Sequence, residues 1–165
     1  MTPAITLEEL LAWNDEASKF WKAHLDANPA LLALPCGIGG AANVMEFASH
    51  IWGVELRWGQ RIAGLPPLAK EDVPAGPLDA LFDLHVKAVG VFRTLLDDPA
   101  LNWDDKMTLD LNFLPPDARS FSRRKLAAQA LFHSQRHWAQ LATLVRAAGF
   151  PSGFKGDILL SSALA

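Results

Sequence analysis

An all-α four-helix bundle is the fold that the sequence predicts. Four long segments repeat apolar residues at spacings of three and four, Pro- and Gly-rich breaks separate them, and capping residues stand at their ends. No internal repeat is evident, and 165 residues suit a single domain spanning 1–165.

The first helix is expected to start at Thr6, where Thr6 and Glu9 have the spacing of a capping box, and to run inward through Leu10, Trp13, Ala17, Phe20 and Trp21 to about Asn28. His24, near its end, reads as a residue that caps carbonyls. The second fits Asn43 as N-cap and Glu46 at the third position, buries Phe47, Ile51, Val54, Trp58 and Ile62, and stops at Gly64 before Pro66 and Pro67. The third begins near Pro77, a good first-turn residue, and continues through Leu78, Phe82, His85, Val89, Phe92 and Leu96 to Asp97. The fourth starts at Ser120 or Ser122 and ends at Gly149, with Pro151 beyond it.

A long crossover separates helices three and four, which is much for a structureless connection in a compact domain. Within it Met107, Leu109, Leu111 and Phe113 alternate with Thr108, Asp110 and Asn112, the period-two pattern of a short extended segment with one face packed. A lid, a cover strand, a dimer contact and a purely packed connection all remain open for it.

Composition narrows the function classes. Hydrophobic residues make up 50% and charged residues 20%, as in an ordinary soluble globular protein. No apolar run approaches the length of a bilayer span, so no membrane partner is expected. The net charge of −3, with no basic stripe beyond the short 119–125 segment, gives nucleic-acid binding little electrostatic support. Cys36 is the single cysteine, which excludes an intramolecular disulfide and a multi-cysteine metal site. A reducing compartment fits this, and residues 1–20 do not read as an export signal, so the expected address is the cytoplasm. The "CGIGG" stretch at 36–40 lacks a Lys-Ser or Lys-Thr pair at Walker spacing and reads as a loop.

In "LFHSQRHWAQLATLVRAAG", residues 131–149, His133 and His137 sit four apart within the apolar stripe formed by Leu126, Ala130, Leu144 and Ala148. Residues at that spacing lie one above the other, so two imidazoles can converge on one ion. Burying two polar rings side by side costs free energy unless something satisfies both, and a divalent cation does so at once. His50, in the middle of helix two, can supply a third donor inside a bundle. Three neutral imidazoles leave coordination positions open, as in catalytic zinc sites. The bland alternatives are core histidines with hydrogen-bond partners, or a water-filled groove. His85 also falls on an apolar stripe and stays open as a fourth ligand, an acid/base group or a satisfied structural histidine.

The single His in "FASHIWGVELRWGQRIAG" (47–64), the long crossover and "LFHSQRHWAQLATLVRAAGFP" (131–151) together resemble the DinB-like (DinB/YfiT) family of metal-dependent enzymes. The resemblance extends to helix order, the proline-bounded loop after helix two, the Gln three residues after the second histidine, and the closing Arg-x-x-Gly. It implies a divalent metal held by His50, His133 and His137, and a homodimer. Gln140 and Glu55 match positions where the family often places polar residues near the motif. Where the family commonly has a second histidine beside the last ligand, this chain has Arg136 before His137 and Trp138 after it. Some relatives transfer a low-molecular-weight thiol to an electrophile, others isomerise their substrates, and substrate identity does not carry over.

The chemistry expected of an open site is attack by a metal-activated thiol or water. The partners are then a low-molecular-weight thiol and an electrophilic small molecule. The competing reading is a non-catalytic, stress-related bundle that binds metal or a small ligand. Nitrogen ligands suit several metals, and cellular availability favours Zn or Ni, with Mn or Fe as alternatives. Trp58 and Trp138 are candidates to line a cleft beside the ion. Because imidazole must be neutral to bind, affinity is expected to fall as pH drops through roughly 6.5.

Overall fold

The structure is a computed structural model that describes residues 5–110 and 119–164. Helix α1 (Leu7–Ala27) opens on the expected capping box: Glu9 N–H donates to the Thr6 hydroxyl at 3.1 Å, and Thr6 N–H donates to the Glu9 carboxylate at 2.7 Å. At its other end the Asn28 side-chain amide, rather than His24, takes the free carbonyl, donating to the His24 oxygen at 2.9 Å. His24 instead lies flat against Phe20, with its Nε2 buried and without a partner among the described residues. The imidazole is held by Phe20 and by Trp21, whose ring it meets edge-on at 5.7 Å.

Helix α2 (Val44–Ile62) starts at Asn43, whose side chain accepts from Glu46 N–H at 2.9 Å, and stops at Gly64, which takes the left-handed φ of 70°. Helix α3 (Leu78–Leu96) begins after Pro77 and stops at Asp97. Of the two serines considered for α4 (Arg123–Ala147), Ser122 is the N-cap, accepting from Lys125 N–H at 3.3 Å.

Two apolar clusters fill the bundle, one toward each end. Trp21 and Leu25 of α1, Phe47 and Trp52 of α2, Leu81 of α3 and Trp138 and Leu141 of α4 share the first. Leu10 and Leu11, Trp58 and Ile62, Phe92 and Leu95, and Leu126 and Leu131 share the second. The order of these residues along each helix fixes the topology: α1 and α4 run one way, α2 and α3 the other. α1 and α2 each pack against both α3 and α4, so they stand at opposite corners. Since α2 and α3 are parallel, residues 63–77 must return along the length of α2; Leu68 N–H donates to Gln60 Oε1 on the way, at 2.8 Å.

The end of α3 and the start of α4 stand at opposite corners of one end of the bundle, and the described parts of the connection between them pair with each other. This connection contains β1 (Lys106–Thr108) paired antiparallel with β2 (Ser120–Ser122), with Met107 opposite Phe121. Leu109 is buried against the second cluster, as the alternation requires. Leu111, Asn112 and Phe113 lie outside the described residues. No described helix is long and apolar enough to cross a membrane.

Between the two apolar clusters the buried side chains are polar: Asn14 and Ser18 on α1, Glu55 on α2, His85 on α3, and Ser134, Gln135 and His137 on α4. Burial of so many polar groups is tolerable only where they satisfy one another or a bound species. Two separate constellations result, one internal and one opening to a cavity.

Candidate metal centre

The cavity-side constellation joins α2 to α4. Because the two helices are antiparallel, the middle of α2 faces the middle of α4, and His50 meets His133 and His137. One nitrogen from each imidazole can be chosen so that all three lie within 4.8 Å of one another. Ring centroids are 5.2 Å apart from His50 to each of the others and 4.3 Å between His133 and His137. Phe47, one turn before His50 and fully buried, stacks parallel to the His50 ring and meets the His137 ring edge-on at 5.1 Å. The sequence marks Phe47 only as a core residue; its contact with a ring on another helix arises from packing.

The tautomer of His137 follows from its neighbour. Gln140 Oε1 lies 2.6 Å from His137 Nδ1, so that nitrogen carries the proton and Nε2 presents its lone pair to the cluster. At 3.0 Å from it stands His133 Nε2, and an Arg136 guanidinium nitrogen lies 3.3 Å away. His133 Nδ1 is buried with no partner among the described residues.

Burial is the main reason that all three rings resist protonation. It pushes His50 down to about 4, with help from positive charge on His137, Arg57, Arg136 and Lys70. His133 falls to about 3 for the same reason, with His137, His50, Arg136 and Arg57 adding to it. His137 is lowered by burial, against the opposing bond to Gln140. His50 and His133, held this far below the ordinary 6.5, resist protonation at pH values where an exposed histidine titrates.

These residues fit a divalent cation. Two nitrogen ligands on one tetrahedral zinc stand about 3.3 Å apart, given Zn–N bonds of about 2.0 Å, and the spacing of the cluster accommodates that distance. The donor set is nitrogen only, and the cluster borders a cavity of about 580 Å³ lined by both His50 and His133. Trp58 lines this cavity, as the sequence led one to expect; Trp138 does not, being fully buried between Trp21 and Trp52.

His85 is not a fourth member. Its Nδ1 lies 3.1 Å from Glu55 and its Nε2 3.0 Å from Asp15, while Asn14 donates to Glu55 at 2.8 Å. Burial alone would lower its pKa, but the charge on Glu55 and the bonds to Asp15 and Glu55 raise it to about 9. The reading of His85 as a satisfied internal histidine therefore holds. Glu55 belongs to the same internal network and not to the three-histidine cluster. Cys36 sits in the 36–40 loop, partly buried against the first apolar cluster.

No family model matches the chain, and no curated protein matches it either.

Proposed function

We propose that the protein binds one divalent metal ion through His50, His133 and His137 and is a metal-dependent enzyme of the DinB-like kind. In this reading it joins a low-molecular-weight thiol, or water, to an electrophilic small molecule. The observation that carries it is the convergence of three imidazoles from two helices, two of which, His50 and His133, line an open cavity. A bound ion would supply Lewis acidity, lowering the pKa of a thiol or water toward neutrality.

The chain's own residues have definable tasks. His50, His133 and His137 offer lone pairs, Gln140 fixes the ring of His137, and Phe47 packs against the rings of His50 and His137. Val54, Trp58 and Leu126 give the cavity an apolar wall against which an electrophile can lie. Zn or Ni is the metal proposed, and a cytoplasmic homodimer the form in which it works.

The test is elemental analysis of protein prepared without a histidine tag, alongside His50→Ala and His133→Ala. About one equivalent of metal is expected, lost in both variants while helicity by circular dichroism is retained. Loaded protein should then consume a thiol in the presence of an electrophile, and His133→Ala should not. Absence of metal after reconstitution with Zn, Ni, Mn and Fe removes the reading; stoichiometric metal without thiol consumption or hydrolysis leaves the non-catalytic metal-binding bundle.

A further inference from the structure

The cavity beside His50 and His133 carries more positive charge than metal binding requires. Arg57 and Arg61 from α2 and Lys125 and Arg136 from α4 all line it, and no Asp or Glu does among the described residues. That places four of the chain's 15 Lys and Arg on one cavity, in a protein with 18 Asp and Glu. None of the four has a carboxylate within ion-pair distance among the described residues. Their neighbours behave differently: Arg119, Arg123 and Arg124, just before or at the start of α4, are each paired with an aspartate.

Helix geometry arranges these cations. His50, Val54, Arg57 and Arg61 follow spacings of four, three and four along one face of α2, and Lys125, Gln129, His133 and Arg136 do much the same on α4. Opposed antiparallel stripes make a channel with imidazoles toward one end and Arg61 and Lys125 toward the other. At 1.5 Å per residue, Arg57 lies about 10 Å along the axis from His50. Arg57 and Arg61 are half-buried, and Arg61 lies over the Trp58 ring at 5.5 Å. Guanidinium groups recessed in this way lose hydration that an oxyanion can replace with paired hydrogen bonds. A divalent ion on three neutral ligands would deepen the imbalance of charge.

We propose that this cavity binds a small organic oxyanion, a carboxylate or phosphate monoester with an apolar body. Arg57, Arg61 and Lys125 hold its acid group while its opposite end faces His50 and His133. The proposal names a substrate class for the metal-dependent reading and rests on that reading for what happens at the imidazole end. The oxyanion cradle itself needs no metal. Val54, Trp58 and Leu126 receive the apolar body.

Calorimetric titration of chelator-treated protein tests it, with phenyl phosphate, phenylacetate and neutral benzyl alcohol as probes. Saturable binding is expected for one or both anions and not for benzyl alcohol, and preference between the two anions separates phosphate from carboxylate. Affinity should weaken with added salt, and about tenfold or more in Arg57→Met and in Arg61→Met, as for loss of a charged hydrogen-bond donor. Metal content should stay unchanged in both variants. Equal affinity for benzyl alcohol, no anion binding, or unaltered binding in both arginine variants overturns the proposal. If anion binding persists where no metal can be loaded, the cradle stands and the metal reading falls. Stoichiometric metal without anion binding removes the cradle and leaves the metal reading in place.

Discussion

Gln140 stands one turn after His137 on α4, and its carbonyl oxygen accepts a hydrogen bond from His137 Nδ1–H at 2.6 Å. A side chain exposed on the outer face of the helix thereby decides which nitrogen of a buried ring faces the cluster.

Replacing Gln140 with Ala should accordingly lower metal affinity roughly 10- to 100-fold, the usual cost of removing a group that orients a ligand. Gln140→Glu keeps an acceptor oxygen and should recover most of that loss. Competition with a chromophoric chelator reads both. Equal affinities in all three proteins would mean that the ring is oriented by Phe47 packing alone.

Proton competition for the metal should begin late. His50 is held at about 4 and His133 at about 3 by burial, so both are neutral throughout the range where an exposed histidine titrates. Lowering pH adds protons and weakens binding, and His50 and His133 contribute to that only once the pH approaches 4, while His137 is lowered below the ordinary 6.5 by burial. Chelator competition between pH 8 and 6 should show little change of affinity after correction for the chelator's own protonation. A steady decline beginning near 6.5 would show that the imidazoles are solvated like free ones.

Stability should respond to pH through the internal network. His85 has a pKa of about 9, above its unfolded value, so its contribution is fully present below roughly 6.5 and lost as pH rises through 9. Asp15 is held at about 2 by the hydrogen bond from His85, against burial and with help from Lys19. Its contribution is present above roughly 3.9 and lost as pH falls through 2. Below about 6.5 the unfolded chain also takes up protons that buried His50 and His133 refuse, so urea unfolding of metal-free protein should be most resistant near about pH 6.5 to 7 and weaken on both sides. His85→Leu, which leaves Glu55 its bond from Asn14 but removes its cationic partner, should cost about 3–5 kcal/mol at pH 6 and flatten the alkaline decline. A wild-type curve level from pH 6 to 9.5 would count against the charged triad.

The helices are legible in the sequence because their causes are local. Thr6 with Glu9, Asn43 with Glu46, Pro77, and Gly64 and Gly149 act within one turn of themselves, and apolar spacing needs no knowledge of the partner helix. His133 with His137 is legible for the same reason, since one turn of one helix brings them together. The role of His24 is not, because an imidazole near a helix end has two outlets, the carbonyls or the adjacent aromatic ring, and Phe20 takes it.

What the tertiary structure decided is everything that requires two helices to meet. The antiparallel pairing of α2 with α4 carried His50 to the helix-four pair, while the parallel pairing of α2 with α3 turned Glu55 and His85 toward each other and away from the cluster. The same α2–α4 pairing lined one channel with Arg57, Arg61, Lys125 and Arg136, which in the sequence are ordinary charges on two separate segments. Sequence alone determined which faces were apolar and which residues could ligate. Corner, direction and register determined which of them share a site, because these follow from packing summed over the whole core and not from any single segment.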